Sequence, residues 1–167
     1  MTPARQERKS LSIWAILVAA LGIICGFAEI AVGGAATEWV VVNRHTGLAI
    51  DGFDPVAYFA DGAPKPGNAQ LELPFGGATW RFRNEGNRAA FAAAPEVYAP
   101  RFGGHDPVAM ARGVATAGNP TLWLIWEKRL YFFYSAEAQT AFSQDSEKII
   151  EDAERNWNEV RQTLVRS

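Results

Sequence analysis

Two histidines, one internal methionine and a pair of matching aspartates are the residues of this chain best suited to chemistry. His105 follows two glycines and precedes the segment that carries Met110. Imidazole and thioether groups are copper ligands, so the pair predicts a copper site that Tyr58, His45 or Asp106 would complete. The alternative is a structural role for the glycine-histidine turn, and the small number of ligands favours it over copper or another metal.

Asp54 and Asp106 occupy the same place in a short sequence that occurs twice. Residues 52–58 are Gly-Phe-Asp-Pro-Val-Ala-Tyr, and residues 104–110 are Gly-His-Asp-Pro-Val-Ala-Met. Asp followed by Pro opens helices, because the carboxylate accepts hydrogen bonds from the first-turn N–H groups and Pro lacks an N–H there. We therefore interpret both aspartates as helix caps. The alternative, a facing pair of carboxylates for metal binding or acid–base catalysis, is disfavoured because capping already occupies the carboxylate.

Sequence motifs for nucleophilic or phosphate chemistry are missing. No serine lies in a Gly-x-Ser-x-Gly elbow, and the glycine pairs lack the strand-to-helix context of a phosphate-binding loop. The single cysteine, Cys25, lies in an apolar N-terminal segment, so the rest of the chain has no disulfide, CxxC pair or thiolate zinc site. We therefore expect a protein that is not an enzyme, holds no cofactor and binds no nucleotide.

That apolar segment predicts a membrane location. Residues 11–28 contain no charged side chain and follow Arg5, Arg8 and Lys9. A run of about 18 to 20 apolar residues can cross a bilayer core as a helix, and a cationic flank stays on the cytoplasmic side. We expect a cytoplasmic N-terminus over residues 1–10 and a single transmembrane anchor over residues 11–34 in the inner membrane. The remaining chain would face the periplasm or the cell exterior.

A cleaved signal peptide is the alternative for the same segment. The small residues Gly34, Ala35 and Ala36 are of the kind that a signal peptidase accepts. The apolar part of a signal peptide is about 7 to 15 residues long, however, and this one is longer. Its length favours a retained anchor.

The charge of residues 37–167 argues against nucleic acid as a partner. This region carries 13 Lys and Arg against 16 Asp and Glu, and a mildly acidic surface has no electrostatic footprint for nucleic acid. A region of about 125 residues is long enough for one compact core. The expected partners are the membrane and a protein within it.

Alternating apolar residues and turn signals predict three pairs of short strands. The strands are residues 38–42 with 48–50, 70–73 with 78–82, and 122–126 with 130–134. Asn84 and Ser135 are candidate caps for helices over residues 85–94 and 136–143. A longer amphipathic C-terminal helix is predicted over residues 146–165. Antiparallel hairpins and short helices without βαβ alternation indicate an α+β fold, here preceded by the transmembrane helix.

Large aromatic residues near the C-terminus predict an interaction surface. Alternation places Trp123 and Trp126 on opposite faces of the last hairpin, so both faces are apolar. Trp157 lies on the apolar stripe of the helix over residues 146–165, which could cover one of these faces. A face left uncovered would suit a partner protein or an apolar ligand. The favoured alternative is a sheet that lies between helices.

A series of short blocks resembles the YHS domain family. The blocks occur in the order found in that family, over residues 47–157. They are Asp54-Pro55-Val56-Ala57-Tyr58-Phe59, Gly77-Ala78-Thr79-Trp80-Arg81-Phe82, Asn87-Arg88-Ala89-Ala90-Phe91, Pro95-Glu96-Val97-Tyr98-Ala99-Pro100, Phe102-Gly103-Gly104 and Leu130-Tyr131-Phe132.

The resemblance implies a YHS-like domain over residues 37–167, anchored in the membrane, that acts as an accessory or binding module without enzymatic activity. Where the family has an aromatic residue followed by a cysteine, this chain has His105 and Asp106. A thiol-based metal or redox role is therefore not implied. The alternative function is a periplasmic copper-handling or redox-associated protein that uses His105 and Met110.

Overall fold

Two antiparallel β-hairpins organise the fold, as the α+β prediction required. The computed structural model describes residues 39–164. The first hairpin pairs β1 (Asn68–Phe75) with β2 (Ala78–Phe82), and the second pairs β3 (Asn119–Trp126) with β4 (Arg129–Phe133). Two of the three predicted strand pairs are therefore confirmed, and each of their strands starts and ends within three residues of its expected bounds.

Six helices accompany the hairpins in residues 39–164. They are α1 (Ala57–Ala60), α2 (Glu85–Ala93), α3 (Pro95–Tyr98), α4 (Pro107–Met110), α5 (Ala136–Gln144) and α6 (Ser146–Thr163). The three longer ones, α2, α5 and α6, match the helices predicted from sequence. Asn84 and Ser135 cap α2 and α5, since their side chains accept from the backbone N–H groups of Asn87 and Ala138.

The strand pair predicted at residues 38–42 and 48–50 forms only as an isolated antiparallel bridge between Val42 and Ala49 among the described residues. Hydrogen bonds from Asn43 N to the carbonyl of Leu48 (2.9 Å) and from Ile50 N to the carbonyl of Val41 (3.2 Å) flank this bridge. The N–H of Val41 donates to the carbonyl of Gly103, at 2.8 Å. The chain then enters a 3-10 turn over Ile50–Gly52, in which Asp51 has φ +55°. Long-range bonding and this turn override the local β propensity.

The chain folds one motif twice, as a first copy (residues 50–93) and a second copy (residues 102–144). Each copy begins with a tight turn, continues through a short helix and a bulged hairpin, and ends in a capped helix. Three consecutive positive φ angles open each copy, at Ile50, Asp51 and Gly52 in the first and at Phe102, Gly103 and Gly104 in the second. The repeated heptapeptide of the sequence is thus the start of a repeated fold.

A glycine before each hairpin packs against the opposite strand in the same way in both copies. A Cβ on Gly67 would lie 2.4 Å from Cβ of Arg81, and one on Gly118 would lie 2.6 Å from Cβ of Phe132. Gly67 donates to the carbonyl of Gly52 (2.9 Å), as Gly118 does to that of Gly104 (3.0 Å). Only glycine allows this close approach of two backbones.

The second hairpin lies between two apolar clusters. Alternate residues of β4 point to opposite sides: Leu130 and Phe132 belong to the first cluster, and Tyr131 and Phe133 belong to the second. The first cluster also contains Tyr58, Trp80, Phe82 and Phe91, and the second also contains Phe102, Met110, Phe142 and Ala153. The second hairpin is thus covered on both faces, by α4, α5 and α6 on one side and by the hairpin and helices of the first copy on the other, so helices alone do not enclose it as interpreted from sequence.

The predicted anchor over residues 11–34 lies outside the described residues, as does the cytoplasmic segment over residues 1–10. Within residues 39–164 no helix is long and apolar enough to cross a membrane.

Candidate functional site

Asp54 is buried and ties together three parts of the first copy. Its Oδ1 accepts from Val56 N at 2.8 Å, and its Oδ2 accepts from Arg83 N at 2.8 Å and from Nδ2 of Asn87 at 2.6 Å. The expected cap is displaced, because α1 begins at Ala57 and its N-cap position is Val56. Asp54 therefore holds the turn that leads into α1 rather than the first turn of the helix itself.

Asp106 makes the matching contacts in the second copy and is the N-cap of α4. Its Oδ1 accepts from Val108 N (2.7 Å) and Ala109 N (3.0 Å), and its Oδ2 accepts from Tyr134 N at 2.7 Å. Tyr134 follows β4 as Arg83 follows β2. Each buried carboxylate thus joins a helix start to the end of its own hairpin, and its oxygens are engaged by donors of its own copy.

The surroundings of the two aspartates differ at one helical position. Asn87 and Ala138 are both the third residue after a helix cap. The Asn87 side chain reaches Asp54, whereas Ala138 has no polar side chain to extend toward Asp106. Arg83 and Asp61 form an ion pair beside Asn87.

A groove of about 440 Å³ is present where Ala138 leaves space in the second copy. Asp106, which is 1% exposed, is among the residues that line it, and the first turn of α5 forms one wall. The groove is lined by Asp106, Val108, Ala109, Arg112, Thr116, Tyr134, Ser135, Glu137, Ala138 and Ala141. This volume is within the range of about 300 to 1,000 Å³ that small-molecule sites occupy.

Charged and aromatic groups surround the groove. Tyr134 is 67% exposed at its rim, so its ring is available for stacking. Glu137 forms a hydrogen bond with the side chain of Ser135, which lowers the pKa of the Glu137 carboxyl and keeps it ionised. Asp106 and Glu137 give the groove two carboxylates against the single guanidinium of Arg112. The local balance favours a neutral or cationic ligand over an anion.

The residues of the predicted copper site have separate structural surroundings. His105 is 1% exposed, and its ring centroid lies 6.0 Å from that of Trp157. Met110 is fully buried in the second cluster. Asp106 is engaged by backbone N–H groups. Among residues 39–164 no three His, Cys, Asp or Glu side chains are grouped as metal ligands, so the pair of His105 and Met110 stays a prediction from sequence.

The other two candidate copper ligands lie in different environments. Tyr58 packs in the first cluster, and its hydroxyl donates to the carbonyl of Pro120 at 2.9 Å. Burial raises the pKa of Tyr58 well above its ordinary value, which disfavours the phenolate that would ligate a metal. His45 lies in the exposed turn before Leu48, where its backbone N–H donates to Asn43 Oδ1.

The three tryptophans predicted to form an interaction surface do not share one face. Trp123 packs against the first cluster, with its ring centroid 5.2 Å from that of Tyr58. Trp126 packs edge-on against Phe142 of α5, at 6.2 Å. Trp157 packs against Phe102, at 5.9 Å. On the side of the second cluster the second hairpin is covered by α4, α5 and the turn over residues 101–104. Helix α6 packs mainly on α4 and adds its apolar residues, Trp157 among them, to the same cluster.

The groove was not among the sites predicted from sequence, although a signal for it exists. Beyond the repeated heptapeptide, the copies also share Gly-Asn before the hairpin, two leucines in the first strand, a phenylalanine ending the second strand and Ala-Phe in the last helix. Aligning these identities pairs Asn87 with Ala138 and reveals the missing side chain.

Comparison with family models, with curated proteins and with solved structures finds no significant match to this chain. The resemblance to YHS domains accordingly rests on the sequence blocks themselves.

Proposed function

We propose that this protein is a membrane-anchored, YHS-like binding module without enzymatic activity, and that the groove beside Asp106 holds a small ligand. The observation that carries the proposal is the difference between the two copies. Asn87 fills the place beside Asp54, and the equivalent place beside Asp106 is an open groove.

The chemistry of the groove supports binding rather than catalysis. Asp106 is held by three backbone N–H donors, so its position is fixed and both of its oxygens already accept hydrogen bonds. The neighbouring hydroxyl of Ser135 is engaged with the N–H of Ala138, which suits a capping role rather than a nucleophile.

The first described residue is bonded to the C-terminal helix of the domain. Residues 35–38 are the only ones between the predicted anchor and Trp39. Nε1 of Trp39 donates to the carbonyl of Arg161 in α6 at 2.7 Å, and the Arg161 guanidinium lies 5.3 Å from the Trp39 ring centroid. Trp39, the first described residue, is thus held against α6.

Ligand binding is tested on the full-length protein in detergent micelles, by following backbone amide resonances while small aromatic fragments are added. We expect saturable shifts at Asp106, Ala109, Tyr134 and Ala138. Ala138→Leu fills the groove and should remove these shifts. Ala136→Leu places the same side chain at an exposed position that does not line the groove, and should preserve them. The proposal fails if no fragment moves the groove amides.

The anchor is tested separately by cell fractionation. Full-length protein should stay in the membrane fraction after high-salt and alkaline washing, and its C-terminus should become protease-sensitive only when the outer compartment is opened. A shortened soluble protein that begins near Thr37 would show that the apolar segment is a cleaved signal peptide.

A further inference from the structure

We infer that the tip of the first hairpin, residues 73–80, enters the lipid headgroup region of the membrane that holds the predicted anchor. The inference rests on the proposed anchoring and names a lipid surface as a further partner of the domain. Its basis is an exposed apolar tip that lies beside Val40, close to the point where the chain leads to the anchor.

The first tip exposes apolar surface and carries no charge. Phe75 is 42% exposed, and the two glycines that follow it, residues 76–77, are exposed as well. No side chain in residues 73–80 is charged. The nearest charges along the chain pair with each other, since Nε of Arg81 lies 2.8 Å from Oε1 of Glu72. Transfer of the apolar surface of this tip out of water is favourable.

The second copy shows that the hairpin does not require an uncharged tip. Trp126 takes the place of Phe75, since each ring packs edge-on against a phenylalanine of the helix that follows its hairpin. The turn of the second hairpin consists of Glu127 and Lys128, and both are exposed. Their φ angles, +47° and +59°, lie in the left-handed region, as do those of the two glycines in the first turn. The same turn therefore forms with charged residues, and the need to fold does not explain the uncharged first tip.

The first tip lies next to the residues that follow the predicted anchor. A Cβ on Gly76 would lie 3.7 Å from Cγ2 of Val40, and Val40 packs against the first cluster. Residues 35–38 are the only ones between the predicted anchor and Trp39. The five steps from residue 34 to Trp39 span at most about 18 Å even when the chain is fully extended. The tip beside Val40 therefore stays close to the surface of the bilayer that the anchor would span.

The chemistry around the tip suits lipid headgroups. Tryptophan is enriched at the boundary between membrane and water, and Trp39 is the first described residue. The guanidinium of Arg161 lies 5.3 Å from the Trp39 ring centroid and adds a positive charge, which attracts the phosphate groups of lipids. The other large apolar residues that are exposed in residues 39–164 all lie in the second copy. They are Val114, Ile125 and Tyr134. Within the described residues, the first copy thus exposes one large apolar side chain, Phe75, and does so at this tip.

The test places the full-length protein in phosphatidylcholine nanodiscs, with and without a lipid that carries a nitroxide on the upper part of its acyl chain. The nitroxide broadens the amide resonances near it. Gly77 in the first tip should lose most of its amide intensity, whereas Lys128 in the second tip should keep its intensity. Gly76→Glu gives the first turn the residue type of Glu127 in the second. It should restore most of the Gly77 intensity, because a carboxylate is costly to bury in hydrocarbon.

Gly62→Glu is the matched control, because Gly62 is also exposed and its φ of +61° is nearly equal to the +63° of Gly76. Gly62 follows Asp61, which forms an ion pair with Arg83 at the end of the hairpin opposite the tip. Gly62→Glu should leave the broadening of the first tip unchanged. Phe75→Ser removes the exposed ring and should reduce this broadening. Thermal unfolding checks that all variants remain folded.

The outcomes separate this inference from the proposed function. Equal broadening of the two tips, or an unbroadened Gly77 in protein that stays in the nanodisc, would overturn the lipid contact and leave the anchor standing. Broadening of Gly77 that is the same in the wild type and in folded Gly76→Glu and Phe75→Ser variants would also overturn it, because the tip would then be near lipid only through its tether. Full-length protein that does not stay in the nanodisc would remove the anchor, and this inference with it.

Discussion

Tyr58 of the first copy donates its hydroxyl to the carbonyl of Pro120 in the second copy, at 2.9 Å. The ring lies against Trp123 and Phe132, with centroid distances of 5.2 and 5.3 Å. Trp123 pairs with Phe132 across the second hairpin at the place where the first hairpin pairs Glu72 with Arg81. At this place the first hairpin carries the ion pair of Glu72 and Arg81. The second hairpin carries Trp123 and Phe132, which pack on Tyr58 and join the two copies.

Removing this hydroxyl should change the response of the protein to alkaline conditions. At neutral pH, Tyr58→Phe should cost about 0.5 to 1.5 kcal/mol, the net contribution of one hydrogen bond. Burial raises the pKa of the Tyr58 phenol, so the folded state binds this proton more tightly than the unfolded state. The associated stability is fully present below about pH 10, the pKa of an unfolded tyrosine, and is lost as the pH rises further.

Urea unfolding from neutral pH to about pH 11 measures this effect. The stability difference between the wild type and Tyr58→Phe should shrink above about pH 10. Burial also raises the pKa of Tyr131, so the free energy of unfolding of the variant should still fall with rising pH, although less steeply than that of the wild type. A stability difference that stays constant across the whole pH range would contradict the assignment of this alkaline loss of stability to Tyr58.

Substitution of Asp106 should distinguish a simple cap from a bridge between a helix and a hairpin. From sequence alone, Asn is expected to cap almost as well as Asp. In the structure, Oδ2 faces the N–H of Tyr134, and an Asn that caps α4 through its oxygen would present its NH₂ to that donor. We expect Asp106→Asn to cost about 1 to 3 kcal/mol, the cost of an unsatisfied buried donor.

Asp106→Ala should cost about 2 to 4 kcal/mol, because it removes the cap as well as the partner of Tyr134. Chemical denaturation measures both variants, and Ser135→Asn is the control that exchanges one capping residue for another of similar strength. If Asp106→Asn is as stable as the wild type, the bond to Tyr134 contributes little.

The hairpins and the longer helices could be predicted from sequence because their signals are local. Alternation in residues 122–126 and the caps Asn84 and Ser135 act within a few residues of the elements that they define. The strand predicted at residues 38–42 shows the limit. It pairs with residues 48–50 only at a single bridge, and the N–H of Val41 donates to Gly103, a partner distant in sequence that the local pattern does not reveal.

The candidate site was harder to predict because it depends on a missing side chain. Asp106 was singled out through the repeated heptapeptide, but its groove exists because Ala138 stands where the first copy has Asn87. The methyl side chain of alanine has no functional group that a sequence motif could indicate. Its significance comes only from aligning the two copies within one chain, which the residues shared beyond the heptapeptide allow once the whole repeat is recognised.

Substitution of Trp157 tests how α6 packs on the rest of the domain. From its helical stripe this residue is expected to cover the outer face of the second hairpin. It packs against the second cluster, which holds Tyr131 and Phe133 of β4, with its ring on Phe102 and 6.0 Å from that of His105. Trp157→Ala should cost about 3 kcal/mol, the lower end of the range for a large buried aromatic, because the ring is partly exposed. Amide shifts in the variant should concentrate at residues 102–110.

Trp126→Ala is the matched control, since Trp126 packs on Phe142 of α5. Its shifts should concentrate in α5 and β3 instead. Large shifts at Trp126 and Phe142 in the Trp157→Ala variant would contradict the packing of α6 on α4.

Gly103 and Gly62 form a matched pair for testing how residues 39–42 are attached to the domain. Their φ angles are nearly equal, +63° and +61°. A Cβ on Gly62 would meet nothing within 4 Å, whereas one on Gly103 would lie 1.8 Å from the carbonyl oxygen of Trp39. Gly62→Ala should therefore cost about 1 to 2 kcal/mol, the strain of a left-handed alanine. Gly103→Ala should cost about 1 to 3 kcal/mol more, because a backbone segment must move.

The additional cost should appear as release of the attached segment. In Gly103→Ala, the bond from Val41 N to Gly103 O and the bond from Trp39 Nε1 to Arg161 O should both weaken. Hydrogen exchange at the Val41 amide should become faster in this variant and stay unchanged in Gly62→Ala. Urea unfolding measures the two stability changes. Equal costs and equal protection of Val41 would mean that the contact with Trp39 does not hold the segment in place, since the two variants differ in that contact and share their backbone strain.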